Sequence, residues 1–273
     1  MHDTTPPPQP QQNLPAEDLA WLEQAASEAR RQWNRIRRHS SPAAKAQALA
    51  NLSGYLLELE GPASALRLSR KAHRLWEDVG DPRMIAISSA VLTVHLMEAG
   101  HLQEALRQSV MTLEAMRGLP LEQRHTRMAR CLGKEFLRAG YAAEGQRWLE
   151  LALESPAHED RAEILTLLSR ALDLQGRLPE ARERQQEACE AHHQQGDMVA
   201  MARSMLDLVR LELRLGRNWH AATLCREAPR ILDWRGAPLE AAEARALDCF
   251  CGHPQRTDRH GMWPTARRGA RWH

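Results

Sequence analysis

The chain has 273 residues, 37 of them Lys or Arg and 35 Asp or Glu, so its formal net charge is +2 and no nucleic-acid partner is demanded. Aromatic content is 4%, and the dominant Ala, Leu, Glu, Arg and Gln are strong helix formers. Five cysteines, an odd number and three of them isolated, exclude a disulfide framework and suit a reducing cytoplasm. Residues 1–13 lack the charged and apolar regions of a secretory signal, and the longest uncharged apolar run, 84–97, is too short to span a bilayer.

Residues 1–14 are rich in Pro and Gln and are expected to be a disordered tail. A first helix is expected from about Pro15 to Arg38, with Leu19, Leu22, Ala25, Ala26, Ala29, Trp33 and Ile36 on one stripe. Its acids at the start (Glu17, Asp18) and arginines at the end match the helix dipole. Five helix pairs follow, over about 43–59 and 63–78, 83–99 and 102–117, 121–139 and 142–154, 159–175 and 178–194, and 198–215 and 218–234. Gly or Pro marks each long break, and turns of two or three residues inside each pair force antiparallel neighbours. A sixth pair begins at Leu239 and stops near residue 248, where Cys249-Phe250-Cys251-Gly252-His253-Pro254 interrupts it.

The pairs are copies of one another. A leucine column reads Leu52, Leu92, Leu132, Leu168 and Leu208, stepping by 40, 40, 36 and 40, and Leu247 falls 39 further on. Thirteen residues after each leucine comes a small residue: Ala65, Ala105, Gly145, Ala181, Ala221. Seven later comes a third column, Ala72, Thr112, Ala152, Ala188, Ala228. A side chain larger than Ala at the crossing would push two helices apart, and one pair cannot bury its own apolar faces, so the pairs must stack. Ala25 lies one step of 40 before Ala65, which makes the first helix a half-repeat that caps the array.

These columns resemble the tetratricopeptide repeat. Leu92, Thr93, Gly100, Leu102, Ala105 and Thr112 match it in the second pair; Leu132, Gly133, Gly140, Gly145, Ala152 and Pro156 in the third; Leu168, Ser169, Gly176, Leu178, Ala181 and Ala188 in the fourth. The fifth pair departs at Asn218 and Val209, and the first at Glu60-Gly61-Pro62. The resemblance covers residues 43–250 and implies an all-α, right-handed α-α superhelix (solenoid) of about five helix-turn-helix repeats with an N-terminal capping helix. The repeat domain is taken as 15–248, and the step of 40 looks like the longer-repeat bacterial subclass, which often precedes a signalling output domain.

The resemblance further implies that one face of each first (A) helix of a pair holds a partner peptide. On that face fall Arg127, Arg130, Lys134 and Arg138 in the third pair, Arg170 in the fourth, and Arg203, Arg210 and Arg214 in the fifth, with Glu163 as the main acid. Guanidinium groups grip carboxylates and phosphates bidentately, so an acidic peptide, a C-terminal carboxylate or a phosphorylated segment would fit. The competing reading is a solvated face neutralised by acids of the B helices. The family's chaperone-tail clamp needs Lys and Asn pairs, but Ala50/Gly54 and Ala90/Val94 stand there instead.

No motif for catalysis is present, and no metal or cofactor is expected: Cys249-x-Cys251-x-His253 has a poor zinc spacing. His192-His193 reads as a cationic helix end, Trp76, Trp148, Trp219 and Trp234 as packing residues, and Cys131 as an inert neighbour of the core. Residues 249–273 carry five Arg against one acid, leaving 1–248 at −2, and are expected to lie outside the fold as disordered or out-of-frame sequence.

The reading is therefore a non-enzymatic, cytoplasmic protein- or peptide-binding scaffold with an acidic partner. Its alternative is the sensory or regulatory repeat region of a truncated bacterial signalling protein, a nucleotide cyclase or transcription regulator lacking its output domain. Nucleic-acid binding through the basic tail, with Trp263 and Trp272, and the Arg30–Arg38 cluster ranks third. An array ending in half a repeat exposes an apolar face, so homodimerisation through the C-terminal end is also expected.

Overall fold

The structure, a computed structural model, describes residues 15–120, 124–154 and 160–248. The expectations for 1–14 and for 249–273, the Cys249/Cys251/His253 group included, lie outside them. The described residues form twelve α-helices and no strand. In chain order these are α1 (Ala16–Ile36), α2 (Pro42–Glu60), α3 (Pro62–Val79), α4 (Pro82–Glu98), α5 (Leu102–Gly118), α6 (Thr126–Arg138), α7 (Ala142–Leu153), α8 (Arg161–Leu174), α9 (Leu178–Gln194), α10 (Met198–Arg214), α11 (Asn218–Trp234) and α12 (Pro238–Asp248).

Packing divides the chain into two compact units, one up to residue 139 and one from residue 140. In the first, α1 packs on α2, α2 on α3, α3 on α4 and α4 on α5. In the second the series runs from α7 through α12, each helix against the next.

The columns are the core. Ala65, Ala105, Ala181 and Ala221 are buried, as is Gly145, and so are Leu52, Leu92, Leu132, Leu168 and Leu208. Thr112 stands where the four other repeats have alanine, and it has a partner: the Ser89 hydroxyl of α4 lies 2.6 Å from the Thr112 hydroxyl of α5. The Gln108 amide in turn reaches the Ser89 oxygen at 2.6 Å, and Thr112 donates to the Gln108 carbonyl at 2.7 Å, which satisfies the whole set without water.

The turns follow from one device. Gly176 adopts φ +76°, a left-handed conformation that residues with a Cβ avoid. Its N–H donates to the Asp173 carbonyl at 2.9 Å, and the next N–H, of Arg177, donates to the Leu172 carbonyl at 3.0 Å. This closes the carbonyl end of α8 in a Schellman motif. Several helix starts are capped in turn: the Asp81 carboxylate accepts from the Arg83 and Met84 N–H groups, and Asp197 from Ala200.

Most boundaries fall within two residues of those expected, but α6 begins at Thr126 rather than near 121. Residues 121–123 lie outside the described residues; just after them the Arg124 guanidinium donates to the Leu119 and Arg117 carbonyls. Two packing expectations are corrected. Trp234 is 66% exposed, with the Arg235 guanidinium 4.4 Å from its ring centroid, and Cys131 is exposed. Trp76 and Trp148 are buried as expected.

Candidate partner-binding face

The A helices carry an exposed stripe at intervals of four, three and four residues, which the 3.6-residue turn keeps on one side. In the first unit, α2 presents Gln47, Asn51, Gly54 and Glu58, all exposed. On α4 the equivalent positions are the half-buried Ile87, Val91, Val94 and Glu98. On α6 they are Arg127, Cys131, Lys134 and Arg138, all exposed. Arg130, which the spacing placed with them, is half-buried.

Charge on this part of the face is uneven. Arg138 is bound twice, to Glu135 of its own helix at 2.7 Å and to Glu98 of α4 at 2.5 Å. Hydrogen bonds and the charges of those two carboxylates raise its pKa further. Arg127 and Lys134 form no ion pair with any described residue. Both are exposed on a helix that packs against α4, which carries the apolar trio.

In the second unit, α8 presents Glu163, Leu167, Arg170 and Leu174, and α10 presents Arg203, Asp207, Arg210 and Arg214. Here the cations are largely answered from within. Arg203 binds Glu240 at 2.6 Å, Arg210 binds both Asp207 and Glu243, and Arg214 binds Asp173. Burial pushes the Asp207 carboxyl up, while the Arg210 and Arg170 guanidinium groups pull against that shift. Arg170 makes no ion pair within 4 Å with a described residue.

Apart from the half-buried Arg130, the predicted cations separate by environment. Arg138, Arg203, Arg210 and Arg214 carry counter-ions, whereas Arg127, Lys134 and Arg170 are exposed without them. The counting of acids along each helix missed the partners because they sit 33 to 41 residues away on another helix. Two partners were within reach of helix spacing, Glu135 three residues before Arg138 and Asp207 three residues before Arg210.

Among the described residues the histidines offer no constellation. His192 lies in the last turn of α9, but burial lowers its pKa, which weakens the cationic-cap reading. His95 is buried, with its pKa lowered to about 4 by desolvation. Among the described residues no three of His, Cys, Asp and Glu gather closely enough to hold a metal ion, and no helix is long and apolar enough to cross a membrane.

No protein-family model matches the sequence, and neither does any curated protein. Solved structures do. The TPR-like repeats of a protein described as a Podosopora anserina kinesin light chain superpose with a TM-score of 0.58 at 16% identity, over 73% of this chain and 99% of that one. The apo form of RapI gives 0.56 at 14% identity, over 84% and 91%. The STAND protein of Pyrococcus horikoshii, which has a tetratricopeptide repeat sensor, gives 0.61 at 18% identity, over 88% of this chain and 40% of that one.

Proposed function

The chain has the tetratricopeptide-repeat fold, and from that premise we propose a non-enzymatic scaffold that holds a protein or peptide partner against its A-helix faces. The observation that carries this reading is the exposed stripe of α6, where Arg127 and Lys134 have no ion-pair partner among the described residues, on a helix packed against α4 with its half-buried Ile87, Val91 and Val94. An apolar strip flanked by cations suits a peptide whose hydrophobic anchors are followed by carboxylates or a terminal carboxylate. Arg170 adds a similar charge on α8. Arg130 adds to the α6 stripe, and at Arg138, Arg203, Arg210 and Arg214 a partner's carboxylate must compete with acids already bound. The odd, dispersed cysteines and the step of 40 agree with a cytoplasmic protein of the longer-repeat bacterial subclass.

The test is a pull-down with the full chain beside two variants, R127E/K134E and R203E/R210E/R214E. The first is expected to lose the captured partner, and the second to lose less of it. If both variants retain that partner at the wild-type level, the A-helix face is not the site.

A second reading is favoured by the Pyrococcus STAND protein, in which a repeat array of this fold serves as the sensor of a longer chain. On this reading the chain is the sensory part of a signalling protein whose output domain would follow residue 248. Translation of all frames of the encoding DNA tests it: the reading fails if no frame continues the leucine and alanine columns.

A further inference from the structure

Helix α3, a B helix, carries a run of four cations away from the A faces. Arg67, Arg70, Lys71 and Arg74 are spaced by three, one and three residues and share one side of the helix. They form one wall of a groove of about 800 Å3 that opens toward the turn between α4 and α5, with Leu66 and Ala99 supplying apolar lining.

Most of this charge is uncompensated. Arg70 is held by both oxygens of Glu104, at 2.8 and 2.6 Å. Glu98, on the groove's edge, is committed to Arg138. Arg67 and Arg74 are exposed and form no ion pair with a described residue. Lys71 places its ammonium 5.3 Å from the Trp33 ring centroid, a contact that steadies the charge yet leaves its N–H donors available. Glu77 turns to His73 on its own helix, 3.5 Å away.

We propose that this groove is a second docking site, which takes a short extended acidic segment of a partner polypeptide. Arg67 and Arg74 are seven residues apart, about 10 Å along the helix axis. In an extended chain, side chains two residues apart share one side at about 7 Å, a spacing that the long Arg67 and Arg74 side chains meet by converging. An acid–apolar–acid segment thus presents both carboxylates to the α3 cations and turns its apolar side chain away from them, toward Ala99 in the turn between α4 and α5. A nucleic acid lacks what it needs here: the lining holds no Trp, Tyr or Phe among the described residues, and Trp33 has Lys71 over its ring. The chain's own residues 1–14 carry one acid, Asp3, and do not complement the wall. The site goes beyond the A-face reading, because Arg67, Lys71 and Arg74 lie on no A helix.

The experiment is fluorescence anisotropy with the full chain and a labelled octapeptide of alternating Glu and Val. Controls are the Gln/Val peptide and an eight-nucleotide oligothymidylate. The acidic peptide is expected to bind, more weakly as salt rises, and the Gln/Val peptide not to bind. R67E/K71E/R74E should weaken binding about tenfold or more, as the loss of three exposed charge contacts allows. R67Q/K71Q/R74Q should fall between it and the wild type, and this variant decides the matter if the triple reversal disturbs the helical circular dichroism. R127E/K134E, on the A face, should change affinity less than about twofold. The proposal is overturned if the acidic peptide does not bind, if the A-face variant rather than the α3 variants removes binding, or if the oligothymidylate binds as tightly as the peptide and with the same dependence on α3.

Discussion

The Arg182 Nε–H of α9 donates to a Glu212 carboxylate oxygen of α10 at 2.7 Å, and Glu212 is wholly buried while its other oxygen has no hydrogen-bond partner. A buried carboxylate is tolerable only while its cation is present. Arg182→Ala should therefore destabilise the fold by about 3 kcal/mol, because it strands the charge. Replacing both residues together, as R182M/E212L, should cost much less. Urea unfolding followed by circular dichroism distinguishes the two, and equal losses in both would contradict the argument.

His95 gives stability a pH dependence. Its folded pKa is about 4, well below the model-peptide value near 6.5, so between those limits the unfolded chain binds the proton more readily. The stability it confers is complete above about pH 6.5 and is lost as pH falls toward 4, by about 3 kcal/mol in all. His95→Leu should flatten that part of the profile, measured as the urea midpoint from pH 7.5 to 4.5. An unchanged slope would place the acid sensitivity elsewhere.

Gly176→Ala isolates a backbone effect. A Cβ there meets nothing within 4 Å, so any loss comes from the φ of +76° alone. About 1 kcal/mol of destabilisation is expected, with the partner-binding faces unaffected. The readout is the thermal midpoint of the variant against the wild type, and Gly54→Ala is the control, since it sits in helix α2 with equally open space.

Thiol labelling reads the cysteines directly. Cys131 is exposed, whereas Cys189 and Cys225 are buried, and burial together with nearby acids pushes the Cys189 thiol up to about 12. In a C249S/C251S background at pH 8, one thiol should react with a maleimide in the native state and two more only in urea. Immediate labelling of all three would mean that α9 and α11 open far more readily than their packing implies.

The columns of the sequence reached the structure almost unchanged because each residue in them answers a local demand. A small side chain is needed where two helices cross, and a glycine where the chain must turn left-handed, and both demands recur at one spacing. The charge of the A face was harder to read. Arg214 looks like a free cation until Asp173, 41 residues earlier, is seen on the neighbouring helix. Cys131 shows the same limit at short range: it adjoins the buried Leu132, yet one residue along a helix is a rotation of about 100°, enough to reach solvent. Arg67, Arg70, Lys71 and Arg74 are legible as a stripe, but the groove beside them exists only because the distant turn of Glu98, Ala99 and His101 folds against α3.

Helices α7 to α12 pack each against its successor, so the interactions that hold this half of the chain join residues close in sequence. Little loop entropy is lost before a contact is gained, which places the assembly among fast folders. Folding can also begin at any pair and spread to its neighbours. Adding or deleting one pair by gene duplication would then leave the remaining interfaces as they were, so arrays of this kind can change length without relearning how to fold.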